Sequence, residues 1–292
     1  MDLFLQQTFS GLAFGGVYAC VALAVVMIYQ ATDHLNFAQG EMAMFSTFIA
    51  YTLLNHGAPY WWAFLLALGI SFVGGVLVER IVVRPVEGTG VLNEVIVFIG
   101  LLAIFNSMAG WIWDYTIKPF PSPFPKHVPF GITFVGPHEF GVIGVTLVVL
   151  ALVFMFFRFT PVGLAMRAAA QNPASARLVG IRVGWMLALG WGLAAAVGAV
   201  AGIMVAPIVF LEPNMMQGIL LYGFAGALLG GISNPVGAVV GGFIVGVLEN
   251  LVGTYVPFIG SQLKLSVALV LIVTVLVFRP SGLFGYVVVK RV

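Results

Sequence analysis

Residues 8–29 read TFSGLAFGGVYACVALAVVMIY, a run with no charged side chain. A helix rises about 1.5 Å per residue and the hydrocarbon core of a bilayer is about 30 Å thick, so a span needs about 20 mostly apolar residues. This run meets that length. Asp2 is the only charged side chain before it, so no basic segment of a cleaved signal peptide precedes it and a retained span is expected. Apolar segments of similar kind recur at about 35–54, 60–83, 95–113, 140–157 and 183–210, the last ending near Pro207. The second is interrupted by Gln39, Gly40 and Glu41, and the third opens on Trp61 and Trp62, which suit a membrane–water interface. After them come a short segment at 218–232, another at 236–256 and a last one at 264–278. The expected fold is all-α and polytopic, with eight or nine membrane segments, the uncertainty in number lying between 218 and 255.

Composition agrees with that reading. Hydrophobic residues make up 61% of the 292 and charged residues 8%, where soluble domains carry about 25% charged residues. Mean hydropathy is +1.12. These values argue against a soluble enzyme or a disordered chain. Twelve basic against ten acidic residues are too few for a phosphate-binding surface, so no nucleic-acid partner is expected. Cys20 stands alone, allowing neither an internal disulfide nor a Cys-rich metal site. Eight glycines lie between 223 and 246. Glycine weakens an isolated helix but lets helices approach closely, so a tightly packed or broken hairpin is expected there.

The few charges orient the chain. Arg80 and Arg84 share one connection, Arg158, Arg167, Arg177 and Arg182 another, and Arg279, Lys290 and Arg291 lie near the end. The positive-inside rule places these on the cytoplasmic side. The 114–139 connection balances Lys118 and Lys126 against acids and holds six prolines, which fits an external, partly extended loop.

Residues 160–182, TPVGLAMRAAAQNPASARLVGIR, read as two short helices. Thr160 can cap the first with Pro161 at its first position, and Asn172 and Pro173 repeat the device for the second. Gly180 can end it. The pattern suits either an amphipathic interfacial linker or a docking surface for a cytoplasmic partner, with small alanines allowing close approach and Arg167 and Arg177 supplying directional donors.

Polar side chains interrupt the apolar segments at Asn36, Gln39, Glu41, Asn106, Glu249 and Asn250. Ionisable groups inside a membrane usually face protein or water. Glu41 reads best as an interfacial group, with Asn36 helping to end a turn. Glu249 lies deeper and fits either structural pairing or a permeation path. Asp33 and His34 fall at a loop edge. Histidines 34, 56, 127 and 138 share no zinc spacing, and neither a GxSxG elbow with a hydrolase triad nor a GxxxxGK[ST] loop is present. No metal or cofactor is expected on this chain. Any ATP used must bind to another.

With these segments in place the sequence closely resembles the LivH-type permease subunits of bacterial branched-chain amino-acid ABC transporters. The resemblance rests on GLAFGGVYACVALAVVMIY at 11–29, LNFAQGEMAMF at 35–45, TPVGLAMRAAAQNPASARLVGI at 160–181, the glycine-rich 223–242 region and FRPSGLFG at 278–285, in that order. Asn36, Phe37, Gly40 and Glu41 match the family's Asn-Phe-x-x-Gly-Glu core, and Gln39 stands where many relatives carry another polar residue, often His. The resemblance implies a single permease domain over 1–292, not an enzyme, in a bacterial cytoplasmic (inner) membrane. Within it, 160–181 would be a cytoplasmic coupling hairpin whose scaffold and contact set is Gly163, Arg167, Ala169, Asn172, Pro173, Ala176 and Gly180. It implies as partners a second homologous permease, two cytoplasmic ATPases that bind ATP and Mg, an external solute-binding protein and membrane lipid. Import of branched-chain amino acids is the leading expectation. Urea or short-chain amides are the near alternative, and a passive channel a more distant one.

Overall fold

The computed structural model describes residues 2–125, 135–260 and 263–285. Lys126, His127 and Pro129 of the proline-rich connection, and Lys290 and Arg291 of the basic end, lie outside the described residues. Eleven α-helices follow in order among the described residues: α1 (Asp2–Thr32), α2 (Gln39–Asn55), α3 (Tyr60–Val78), α4 (Val91–Trp113), α5 (Pro137–Phe159), α6 (Pro161–Gln171), α7 (Pro173–Leu178), α8 (Val183–Val209), α9 (Met216–Gly230), α10 (Pro235–Tyr255) and α11 (Lys264–Phe278). A π-helical turn (Glu79–Val83) and a 3-10 turn (Arg84–Val86) extend α3.

Six of these are long and apolar enough to cross a membrane: α1, α3 with its extension, α4, α5, α8 and α10. The expected eight or nine segments also included α2, α9 and α11, which have 17, 15 and 15 residues. At 1.5 Å per residue those are about 22–26 Å long, short of the hydrocarbon thickness. The second segment differs most from expectation. Residues 35–38 are not helical, and α2 begins beside Ala194 and Gly198, well inside α8.

The bundle is built around α1, whose most apolar window is 89% buried, against 17% for α5. In lipid no hydrophobic force separates helix from solvent, so close packing and interhelical hydrogen bonds hold the bundle. The glycines supply the closeness. A Cβ on Gly242 would strike the backbone of Ala19, one on Gly246 the backbone of Gly15, and one on Gly226 the backbone of Gly242. The stretch from 223 to 246 is therefore a contact face of α9 and α10, against each other and against α1. The sharp turn between the two helices uses Gly231 at φ +112° and Asn234, whose Oδ1 accepts from the N–H groups of Val236 and Gly237 at 3.1 and 3.2 Å. Side chains such as Trp62, Trp111, Leu152 and Val273 point outward from α3, α4, α5 and α11, giving apolar flanks suited to lipid.

The two ends differ in chemistry. At one, the Arg80 guanidinium lies 3.9 Å over the Trp185 ring at the start of α8, and Arg84 occupies the space that Gly184 leaves open. At the other, the proline-rich connection pairs with the segment after α8, Lys118 and Leu211 exchanging backbone hydrogen bonds at 2.9 and 3.0 Å. His138 fastens the same region, its ring nitrogens 2.8 Å from Ser122 Oγ and 2.9 Å from the Met204 carbonyl. The arginine-rich end and the proline-rich loop therefore lie at opposite ends of the bundle.

Candidate functional site

Two features stand out, a capped hairpin at the arginine-rich end and a layer of polar side chains deep in the bundle. In the hairpin, Thr160 Oγ1 accepts from the Gly163 N–H at 3.0 Å, with Pro161 in the first turn of α6. Asn172 Oδ1 accepts from the Ser175 N–H at 2.9 Å, with Pro173 opening α7. Both side chains satisfy backbone donors that a helix start leaves free. Gly163 is packed so tightly on Phe156 and Phe157 that a Cβ would meet their backbone, which fixes the angle between α5 and α6. Ala169 and Ala176 are buried with Val183, and Gly180 turns the chain toward α8 at φ +83°. Gly163, Ala169 and Ala176 thus hold the hairpin to α5 and α8. Arg167, Asn172 and Pro173 are exposed on it, as is Arg177.

Two residues here did not stand out in the sequence. Leu178 is 89% exposed and Val179 76%, next to Arg177 and on the outer side of the hairpin. An apolar pair beside a guanidinium is a common composition for a protein contact. Its signal was present as an LV pair before a helix-ending glycine, but exposure is a tertiary property.

The polar layer has two groups. In the first, Tyr18 of α1 donates to Glu249 Oε2 of α10 at 2.6 Å, and its ring stacks on Tyr222 of α9 with centroids 4.9 Å apart. Lys264, the first residue of α11, donates to Asn250 Oδ1 at 3.1 Å. A cavity of about 250 Å³ opens between Tyr222, Glu249, Lys264 and Leu271. Tyr18 stands 14 residues before the end of α1 and Glu249 14 residues after the start of α10. Both are therefore about 21 Å along their helices from the arginine-rich end.

The second group surrounds the start of α2. Asn36 is fully buried; its Oδ1 accepts from the Ala38 N–H at 2.9 Å and its Nδ2 lies 3.7 Å from Met42 Sδ. Gln39 Nε2 donates to the Ala194 carbonyl at 3.1 Å. Glu41, read from the sequence as interfacial, is 2% exposed. The reason is the non-helical entry to α2, which carries Glu41 into the bundle beside α4 and the start of α9. Asn106 Nδ2 lies 3.4 Å from Glu41 Oε2 and donates to the Pro213 carbonyl at 3.0 Å. Tyr115 in turn donates to Asn106 Oδ1 at 3.1 Å. His34, expected at an exposed loop edge, instead sets Nδ1 2.8 Å from Glu94 Oε2 and ties that loop to α4. The structure brings Glu41 and Asn106 together, and in a separate cluster it ties Glu249 to Tyr18 and Asn250 to Lys264. Among the described residues no group of three His, Cys, Asp or Glu is placed to hold a metal ion.

A bundle of long apolar helices closed around a glycine-packed central helix, with polar groups facing protein rather than lipid, defines a multi-pass membrane protein. The family described as "Branched-chain amino acid transport system / permease component" matches residues 7–278, and the chain belongs to that family. Its relatives include the high-affinity branched-chain amino acid transport system permease proteins LivH of Salmonella typhimurium and BraD of Pseudomonas aeruginosa. Each is 30% identical over 99% of this chain and 98% of its own length. A probable branched-chain amino acid transport permease protein LivH of Methanocaldococcus jannaschii is 26% identical over 93% of this chain and 90% of its own. Among solved structures, PsaBC from Streptococcus pneumoniae in complex with Fab contains a chain of similar fold. Its TM-score is 0.51 at 15% identity, over 95% of this chain and 92% of that one.

Proposed function

We propose that this chain is one permease half of an ATP-driven importer of branched-chain amino acids, set in a bacterial cytoplasmic membrane. The observation that carries the reading is the correspondence, along essentially the whole chain, with permeases of branched-chain amino acid transport. A second homologous permease completes the solute path, an external binding protein delivers the solute, and two cytoplasmic ATPases bind ATP and Mg. In this assembly the chain contributes nine membrane-embedded helices, six full spans plus α2, α9 and α11, each of which enters only part of the bilayer.

The 160–181 hairpin is the face on which an ATPase would act. Arg167, Arg177, Leu178 and Val179 are available to a partner, while Gly163, Ala169 and Ala176 lock the hairpin to α5 and α8. A push on a hairpin held this way moves those two helices as levers against α1. Inward- and outward-open states then differ in how they present the hairpin, so the ATPases bind them differently and shift their populations. The polar layer gives a zwitterionic solute protein groups to pass instead of lipid.

The test is reconstitution of the permease pair with its ATPases and binding protein in proteoliposomes. ATP-dependent uptake of leucine, isoleucine or valine is expected. Uptake of urea or short amides in their place would overturn the substrate, and uptake indifferent to ATP would overturn the importer.

A further inference from the structure

A cavity of about 1250 Å³ lies outside the polar layer. It lies at the arginine-rich end, where α1 packs against α5 on one side and α10 on the other and leaves a groove between those two. Its floor is apolar, formed by Leu23, Met27, Leu150, Val153 and Val239. Its mouth is polar, with Arg158 from the end of α5, Arg167 from the hairpin and Asp33 just beyond α1. Among the described residues neither guanidinium has an ion-pair or hydrogen-bond partner.

Depth and charge together identify an occupant. Leu23 is nine residues before the end of α1 and Leu150 nine before the end of α5, so the floor reaches about 14 Å inward. Half of a hydrocarbon core is about 15 Å, so the groove is one leaflet deep. Small-molecule pockets run to about 1,000 Å³, and this volume exceeds them. Two cations against one acid at the mouth favour an anionic group, and a guanidinium pair matches phosphate oxygens in a fork geometry.

We propose that the groove holds an anionic glycerophospholipid of the leaflet at the arginine-rich end. Its phosphodiester sits between Arg158 and Arg167, and its acyl chains lie along Leu23, Leu150 and Val239. Because Arg167 belongs to the hairpin, the lipid joins the hairpin to α1 and α5. The membrane's content of anionic lipid then acts on the same element that a cytoplasmic ATPase would move.

The inference rests on the membrane placement of the proposed function, and the experiment separates the two. The assembled transporter is reconstituted with phosphatidylglycerol carrying a diazirine in one acyl chain, irradiated and mapped by peptide. Labelling of 150–157 and 236–239 at least threefold above the lipid-facing sides of α3 and α4 is expected. It should fall to their level in Arg158→Gln/Arg167→Gln, and also in Val236→Trp, which fills the groove and keeps the arginines. Arg158→Gln alone, outside the hairpin, should lose part of it. Groove labelling equal to that of α3 and α4, labelling unchanged in these variants, or capture of a partner subunit by the groove would overturn the lipid site. Absence of label from α3 and α4 as well would overturn the membrane placement itself.

Discussion

Tyr18 and Glu249, 231 residues apart in sequence, are joined by a 2.6 Å hydrogen bond between α1 and α10. The bond sits where the central helix meets the glycine-rich face, and Tyr222 stacks on its donor. Tyr18→Phe removes one of the two phenols that hydrogen-bond to Glu249, leaving Tyr222 as the other. Loss of one such bond costs about 1–3 kcal/mol. Thermal unfolding in detergent should show a midpoint lowered by several degrees. Glu249→Gln should lower it too, and the double variant should lose less than the sum, because both changes break one contact. Strict additivity would mean that the pair does not interact.

The glycine contacts predict a sharp contrast between two substitutions. Gly242→Val puts side-chain atoms into the Ala19 backbone, whereas Gly100→Ala on α4 meets nothing within 4 Å. Overpacking of this kind costs about 1–3 kcal/mol or more, while alanine improves an exposed helix position by up to about 1 kcal/mol. Folded yield and thermal midpoint should fall for Gly242→Val and hold or rise for Gly100→Ala. Equal behaviour would refute close packing of α10 on α1.

Loss of the Thr160 cap should loosen the first turn of α6. Thr160→Ala removes the acceptor for the Gly163 N–H, at about 1 kcal/mol. Amide hydrogen exchange in 162–165 should speed up about fivefold, with the long helices unaffected. No change would mean that packing of Gly163 on α5 alone sets the hairpin.

Arg167→Glu at the groove side of the hairpin and Leu178→Asp on its outer side should both spare membrane insertion and weaken coupling. A tenfold weaker hold on the ATPases, about 1.4 kcal/mol, is expected for Leu178→Asp, read as ATPase retained on the purified permease pair. ATP-driven uptake should drop alongside it for both variants. Normal uptake at normal protein levels would count against the coupling role.

What could be read from the sequence was whatever depends on neighbours along the chain. The last apolar segment was expected at about 264–278 and α11 has those bounds, although its 15 residues fall short of the full span expected there. Thr160-Pro161 and Asn172-Pro173 announced two helix starts because capping is local. Glu41 was not legible in the same way. Its depth depends on the non-helical 35–38 segment, and a polar residue at the edge of an apolar run looks the same whether the helix starts at the surface or within the bundle. Lys264 escaped assignment for a related reason: as the first residue of a 15-residue helix it begins inside the bundle and meets Asn250 there. Tyr222 and Glu94 entered the clusters through contacts that no periodicity encodes.

The central claim is that the 160–181 hairpin takes up motion from a cytoplasmic ATPase, and photo-cross-linking from position 178 tests it most directly. With a benzoylphenylalanine there in the assembled transporter, irradiation should give a covalent adduct with an ATPase subunit, absent when the ATPases are omitted. An adduct with the external binding protein, or reactivity of that position only from the outer face of the membrane, would contradict it.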